Sequence, residues 1–265
     1  GRDFYHSAEG SEIGFHDTQF FSEAGTKPED NINLQSLTIV SSENKITELD
    51  WSESHPEGTF DAQAIWINLK SDYKIFEIFP INSNIFVWAG GEKTSYSKYS
   101  AWNHYPVTQA PCDGRFSMVA DRVTHSALGA VNNLKGKTLL YGFTKNDAKS
   151  LIPLARSWNV APKIIELKGG ESSGYDKGQR AYQIAAKYDK FSFILDASKN
   201  SPLVNPSFVL AGWDSKAKVK VDSVDIGVDK KIRQGLVRDT NGKLQLVVWM
   251  ELTSEQPVKI SFEKE

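Results

Sequence analysis

Apolar and polar positions alternate with a period of two through most of this chain, the signature of half-buried β-strands. Leu34-Gln35-Ser36-Leu37-Thr38-Ile39-Val40 and Lys45-Ile46-Thr47-Glu48-Leu49-Asp50-Trp51 flank the polar Ser41-Ser42-Glu43-Asn44, which predicts a hairpin. Ala62 to Leu69, Tyr73 to Phe79, Ile85 to Trp88 and Thr138 to Phe143 continue the pattern. In the distal half, Phe191 to Asp196 and Phe208 to Trp213 bracket a Pro- and Asn-rich turn. Lys218 to Val221, Val224 to Val228, Gln234 to Arg238, Lys243 to Leu252 and Val258 to Phe262 follow. The turn Asp239-Thr240-Asn241-Gly242 sits between two of these runs, and Asn-Gly in that setting is a strong hairpin signal.

Helical spacing is confined to Asn146 through Trp158, where Asn146 or Asp147 is placed to cap and Pro153 is expected to shorten or kink the helix. Gln179 to Ala186 fits helix or strand by pattern alone. Its shortness and its strand neighbours favour strand. The expectation is an all-β fold: a large antiparallel β-sandwich of roughly fourteen to eighteen short strands with one or two short helices. Residues 1–265 then form one large domain, or two closely packed β subdomains with a seam near 129–137, where Gly129, Asn132, Asn133 and Gly136 cluster.

Composition narrows the function classes. The 265 residues are 40% hydrophobic and 24% charged, enough for a large core in a sandwich of this length. With 31 basic and 33 acidic residues the formal charge is −2, which leaves no electrostatic drive toward nucleic acid or a membrane surface. No apolar run approaches the ~20 residues of a membrane-spanning helix. Cys112 is the lone cysteine, so an intrachain disulfide and a cysteine-based zinc site are excluded. The polar opening Gly1-Arg2-Asp3 is no signal peptide, and the chain reads as a mature domain or the carboxy-terminal part of something longer.

Phosphate-binding glycine loops, nucleophile elbows and His-Glu-x-x-His are absent; Gly90-Gly91 and Gly169-Gly170 read as turns. Glu77 and Glu251 are the candidates for a paired-carboxylate glycosidase, and both are expected on solvated sheet faces. Trp66, Trp88, Trp213 and Trp249 lie in strand runs and are expected in the core. His6, His16 and His55 have no spacing that gathers them around a metal, so neither a metal nor any other cofactor is expected.

Chemistry concentrates between Ser97 and Ser126. This stretch holds two of the five histidines, two arginines, two aspartates, Asn103, Gln109, Cys112 and the rings of Tyr99, Trp102 and Tyr105. Two readings stay open. One is structural, with the rings capping a core and Arg115 pairing with Asp121. The other is a carbohydrate site, with Trp102 stacking on sugar and Asn103, Gln109, Arg115, Arg122 and His125 meeting its hydroxyls or carboxylate. β-Elimination of a uronate needs its carboxylate neutralised, a base for the C5 proton and an acid for the leaving oxygen. His104 suits the base, Tyr105 or Tyr175 the acid, and Asn103 with an arginine the neutralising role. A second polar stretch, Gly174 to Tyr182, brings Tyr175, Arg180 and Tyr182 as a turn and strand or as another wall of the same cleft.

Trp102-Asn103-His104-Tyr105-Pro106-Val107 followed by Asp113-Gly114-Arg115 resembles a segment of large secreted polysaccharide-degrading proteins of the uronate-lyase kind, including lyases acting on rhamnose–glucuronate linkages. Their pattern reads Trp-Asn-His-aromatic-Pro-Val and then Ser-Asp-Gly-Arg; here Cys112 stands in place of that Ser. Leu154-Ala155-Arg156-Ser157-Trp158 and Leu246 to Glu251 are similar to their terminal β-region. The resemblance implies polysaccharide breakdown, a periplasmic or secreted location, and an upstream domain of the same protein as a partner. Non-catalytic glycan binding and a purely structural sandwich are the competing readings.

Overall fold

The computed structural model describes residues 2–6, 12–18, 34–50, 58–69, 72–87, 117–124, 140–225 and 231–265. The chain divides into two compact units, Gly1–Ile152 and Pro153–Glu265. The seam expected at 129–137 lies outside the described residues. Described residues are mostly strand, as the alternation requires, and no helix among them is long and apolar enough to cross a membrane.

In the first unit, β1 (Arg2–His6), β2 (Glu12–Thr18), β9 (Ser117–Thr124), β8 (Asn84–Val87) and β5 (Gly58–Asp61) form one five-stranded sheet in that order. β10 (Leu140–Thr144), β7 (Lys74–Ile78), β6 (Ala64–Leu69), β3 (Leu34–Val40) and β4 (Ile46–Asp50) form a second. The chain crosses between the sheets at Ala62–Gln63 and again after Phe79. Those two crossings are tied by Ala62 N–H to the Ser83 carbonyl at 3.1 Å and Phe79 N–H to the Gln63 carbonyl at 2.9 Å. Trp66, Ile65, Ile78 and Phe79 are fully buried there. So is Glu77, which corrects the expectation of a solvated face: strand β7 is buried on both sides, and period-two logic names a wet face only when one exists.

The second unit is a sandwich of two five-stranded sheets. One runs β11 (Lys163–Lys168), β14 (Lys190–Asp196), β22 (Val258–Lys264), β17 (Ala217–Val221), β18 (Val224–Asp225). The other runs β12 (Gly170–Asp176), β13 (Ala181–Ala186), β16 (Ser207–Ala211), β20 (Leu244–Met250), β19 (Ile232–Arg238). Alternate residues of the inner faces interlock: Phe208 of one sheet meets Phe262 of the other with ring centroids 5.5 Å apart, and Phe193 at 5.6 Å. Phe262 also stacks on Phe191 at 5.0 Å, with Trp213 closing the end of the cluster. Aromatic rings each bury a large apolar area, so this cluster supplies much of the unit's hydrophobic stabilisation.

Among the described residues pairing is antiparallel except for β13 with β16, which are parallel. Between these two strands the chain passes through β14 of the opposite sheet, so β13 and β16 are not joined as a hairpin. Trp249 is a second correction. It alternates with buried Val248 and Met250 and so faces outward, half-buried beneath the Arg233 guanidinium at 5.1 Å.

The one helix among the described residues, α1 (Ala148–Asn159), begins where expected: Asp147 Oδ1 accepts the Ser150 N–H at 2.8 Å as an N-cap. It does not stop at Pro153. The missing N–H would have met the carbonyl of exposed Lys149, where water offsets the loss, while Leu151, Ala155 and Trp158 keep a buried stripe.

Candidate functional site

Trp102, Asn103, His104, Tyr105, Gln109, Arg115 and His125 lie outside the described residues. Arg122 belongs to β9, which is described as a strand. The strands on either side of the 88–116 segment are neighbours in one sheet, with Val87 paired to Met118.

Tyr175 and Arg180 belong to the β12–β13 hairpin of the second unit, where Tyr175 pairs with Tyr182. Its turn is built by Asp176, whose Oδ1 accepts the N–H groups of Gly178 at 2.8 Å and Gln179 at 3.1 Å. Arg180 ends the turn in the left-handed region, at φ 52°. Its Nη2 donates to the carbonyls of Val204 at 3.2 Å and Asn205 at 3.4 Å, tying the hairpin to the next loop. Burial pulls the guanidinium below its usual pKa, partly opposed by Tyr175.

Tyr175 stands edge-on to Tyr182 at 5.1 Å, and Tyr182 stacks on Phe208 at 5.5 Å, so the pair extends the aromatic core to the sandwich edge. The Tyr182 hydroxyl is satisfied inside, donating to the Pro162 carbonyl at 2.8 Å. Burial pushes the Tyr175 phenol up to about 12, against the opposing pull of the Arg180 cation, so it is a proton donor at neutral pH. Tyr182 is raised as well, again chiefly by burial.

A bulge shapes β12 just ahead of Tyr175. The register shifts between Ser172 and Gly174, leaving Ser173 as the extra residue. Ser172 Oγ holds the bulge, donating to the Gln183 carbonyl at 2.7 Å and accepting the Gly174 N–H at 3.0 Å. Gly174 takes φ 91°, which favours glycine.

Between the edge strands β11 and β12 the sandwich opens into a cleft of about 430 Å³. Ile164, Leu167 and Tyr175 give it an apolar lining, with Lys163 and Ser173 also at its walls. A shallower groove of about 560 Å³ is lined by Glu171, Asp176, Gln179 and Gln183. Its acids are engaged: Glu171 pairs with Lys187, and Asp176 holds the turn. Among the described residues no His, Cys, Asp and Glu cluster could hold a metal ion.

Sequence reasoning picked out Tyr175, Arg180 and Tyr182 but not Lys163 or Ser173. The signal was present in Gly169-Gly170-Glu171-Ser172-Ser173-Gly174, where glycines interrupt a strand and mark a bulge. No family model, curated protein or solved structure matches this chain.

Proposed function

We propose that this protein takes part in the breakdown of a uronate-containing polysaccharide by β-elimination, outside the cytoplasm. His104 removes the C5 proton, Tyr105 protonates the departing oxygen, and Asn103 with Arg115 or Arg122 neutralises the carboxylate. The observation that carries this reading is the density of such groups in one segment whose flanking strands are paired neighbours, Val87 with Met118. Catalytic groups are disproportionately carried by the connections between scaffold elements. Base, acid and carboxylate clamp come from side chains alone, each of a type suited by pKa or geometry to its task.

The test is release of 4,5-unsaturated uronate from glucuronate- and galacturonate-containing polysaccharides, read by its ultraviolet absorbance. His104→Ala is expected to lower the rate at least about a hundredfold, as loss of a general base does. Absorbance that grows equally fast with His104→Ala removes that residue from the mechanism. Absence of any new absorbance with the unaltered chain removes the reaction.

The edge cleft of the second unit favours a second reading for that unit, glycan binding without cleavage. Arg180 is held by two backbone carbonyls and is a poor candidate for gripping a substrate carboxylate.

A further inference from the structure

Five polar side chains line or border the edge cleft, and they fall into two groups. Ser172 and Tyr182 spend their hydroxyls on the Gln183 and Pro162 carbonyls. Lys163 Nζ, Ser173 Oγ and Tyr175 Oη have no hydrogen-bond or ion-pair partner among the described residues. Lys163 and Ser173 are exposed, and Tyr175 is half-buried with its ring against the core. The cleft thus presents a cation, two hydroxyls and an apolar lining of Ile164, Leu167 and the Tyr175 ring. Its volume of about 430 Å³ lies within the usual span for small-ligand sites, about 300–1,000 Å³.

We infer that this cleft, built from residues of the second unit, is a sugar-binding subsite for an acidic oligosaccharide. A pyranose ring has an apolar C–H face and an equatorial belt of hydroxyls. The first matches the Tyr175 ring and its aliphatic neighbours. The second matches Ser173 and Tyr175, whose phenol keeps its proton and donates. Lys163 supplies the charge that selects a carboxylate-bearing ring. It pairs across the ladder with Asp196, yet forms no ion pair with it. The bulge at Ser173 turns this side chain out of the alternation toward the opening, a common use of bulges beside binding sites. Fixed on edge strands, the subsite would hold a polymer while another part of the chain acts on it. The acidic character of the ligand rests on the uronate reading above; the presence of a sugar site does not.

The experiment is titration calorimetry on the full chain carrying His104→Ala, so that the probe is not consumed, with a short oligoglucuronate and a cello-oligosaccharide of equal length. The oligoglucuronate is expected to bind about tenfold more tightly or better, as a charge-assisted contact gives. Lys163→Gln should erase that preference and leave the weaker neutral affinity. Tyr175→Phe, which keeps the ring, should weaken both probes by about threefold to tenfold. An affinity unmoved by either substitution overturns the subsite, as does a chain that binds neither probe. Equal binding of both probes, reduced by Tyr175→Phe, overturns the acidic selectivity. The absorbance assay fails or succeeds independently, so loss of the lyase reading and loss of this one are distinguishable.

Discussion

The Trp158 indole donates its Nε1–H to the Lys177 carbonyl at 3.1 Å, and the ammonium of the same Lys177 lies 3.8 Å from the Trp158 ring centroid. Lys177 Nζ also donates to Asn159 Oδ1 at 2.8 Å. The end of α1 is thereby fastened to the turn that carries Tyr175 and Arg180. Burial nonetheless holds the Lys177 pKa below the usual lysine value, so desolvation outweighs what ring and amide return to the charge. Lys177→Met, which keeps the stem over the ring, is expected to cost less than about 1 kcal/mol. Lys177→Ala, which strips that cover, should cost about 1–2 kcal/mol. Urea unfolding followed by circular dichroism checks the order; a Met variant weaker than the Ala variant contradicts it.

Ser172 should prove more costly to remove than its half-exposed position implies. Ser172→Ala leaves the Gln183 carbonyl and the Gly174 N–H without their partner at the bulge. The expected loss is about 1–2 kcal/mol in unfolding free energy. Ser173→Ala, at the exposed neighbour with no partner among the described residues, should change stability by less than about 0.5 kcal/mol.

Where local chemistry decides the outcome, the fold was legible in the residues. The Asp239 to Gly242 turn forms as expected: Asp239 Oδ1 accepts from Asn241 and Lys243 at 2.8 Å each, and Gly242 takes φ 79°. Ala181 to Ala186 is the strand that its short length favoured. Partnering was not legible. Nothing in Phe191 to Asp196 says that it leaves the sheet of its predecessor, so the parallel β13–β16 pair arises from the path and not from any pattern. Glu77 and Trp249 failed for a related reason: alternation tells two faces apart, but tertiary packing decides which face is wet. Of the candidate site, Tyr175 was visible by its type. Lys163 was not, because it reaches the cleft from the other sheet.

Phe262 touches three other rings of the second unit's core, Phe191 and Phe193 in its own sheet and Phe208 in the opposite one. Phe262→Ala is expected to cost about 3–5 kcal/mol, the range for deleting a buried aromatic. Phe262→Leu should cost distinctly less, since it refills most of the space. Denaturant midpoints of the two variants give the comparison, and similar losses would mean that the cluster repacks freely.

Alkaline stability should report on Tyr175. Its folded pKa, raised to about 12, lies above the unfolded value of 10.0. Above pH 10 the unfolded chain releases this proton first, so the stabilisation is complete below pH 10 and is lost as pH climbs toward 12. Two units correspond to about 2–3 kcal/mol at most. Tyr175→Phe removes that contribution, and its stability should fall less steeply than that of the unaltered chain across this window. Parallel slopes in a pH series of urea melts would place the phenol in a wetter setting.

Arg180 separates a positioning role from a binding one. Its guanidinium joins the β12–β13 turn to the Val204 and Asn205 carbonyls, and its cation draws the Tyr175 pKa back down against the effect of burial. Arg180→Met removes both influences while keeping the stem packed. Two backbone carbonyls lose a charged donor, so the expected loss of stability is about 1–3 kcal/mol. The Tyr175 phenol, relieved of the nearby cation, should titrate at still higher pH, seen as a later tyrosinate absorbance step. Preference for acidic over neutral oligosaccharide should survive, because Lys163 supplies it. Should Arg180→Met instead abolish that preference and leave stability intact, the guanidinium contacts the sugar carboxylate itself.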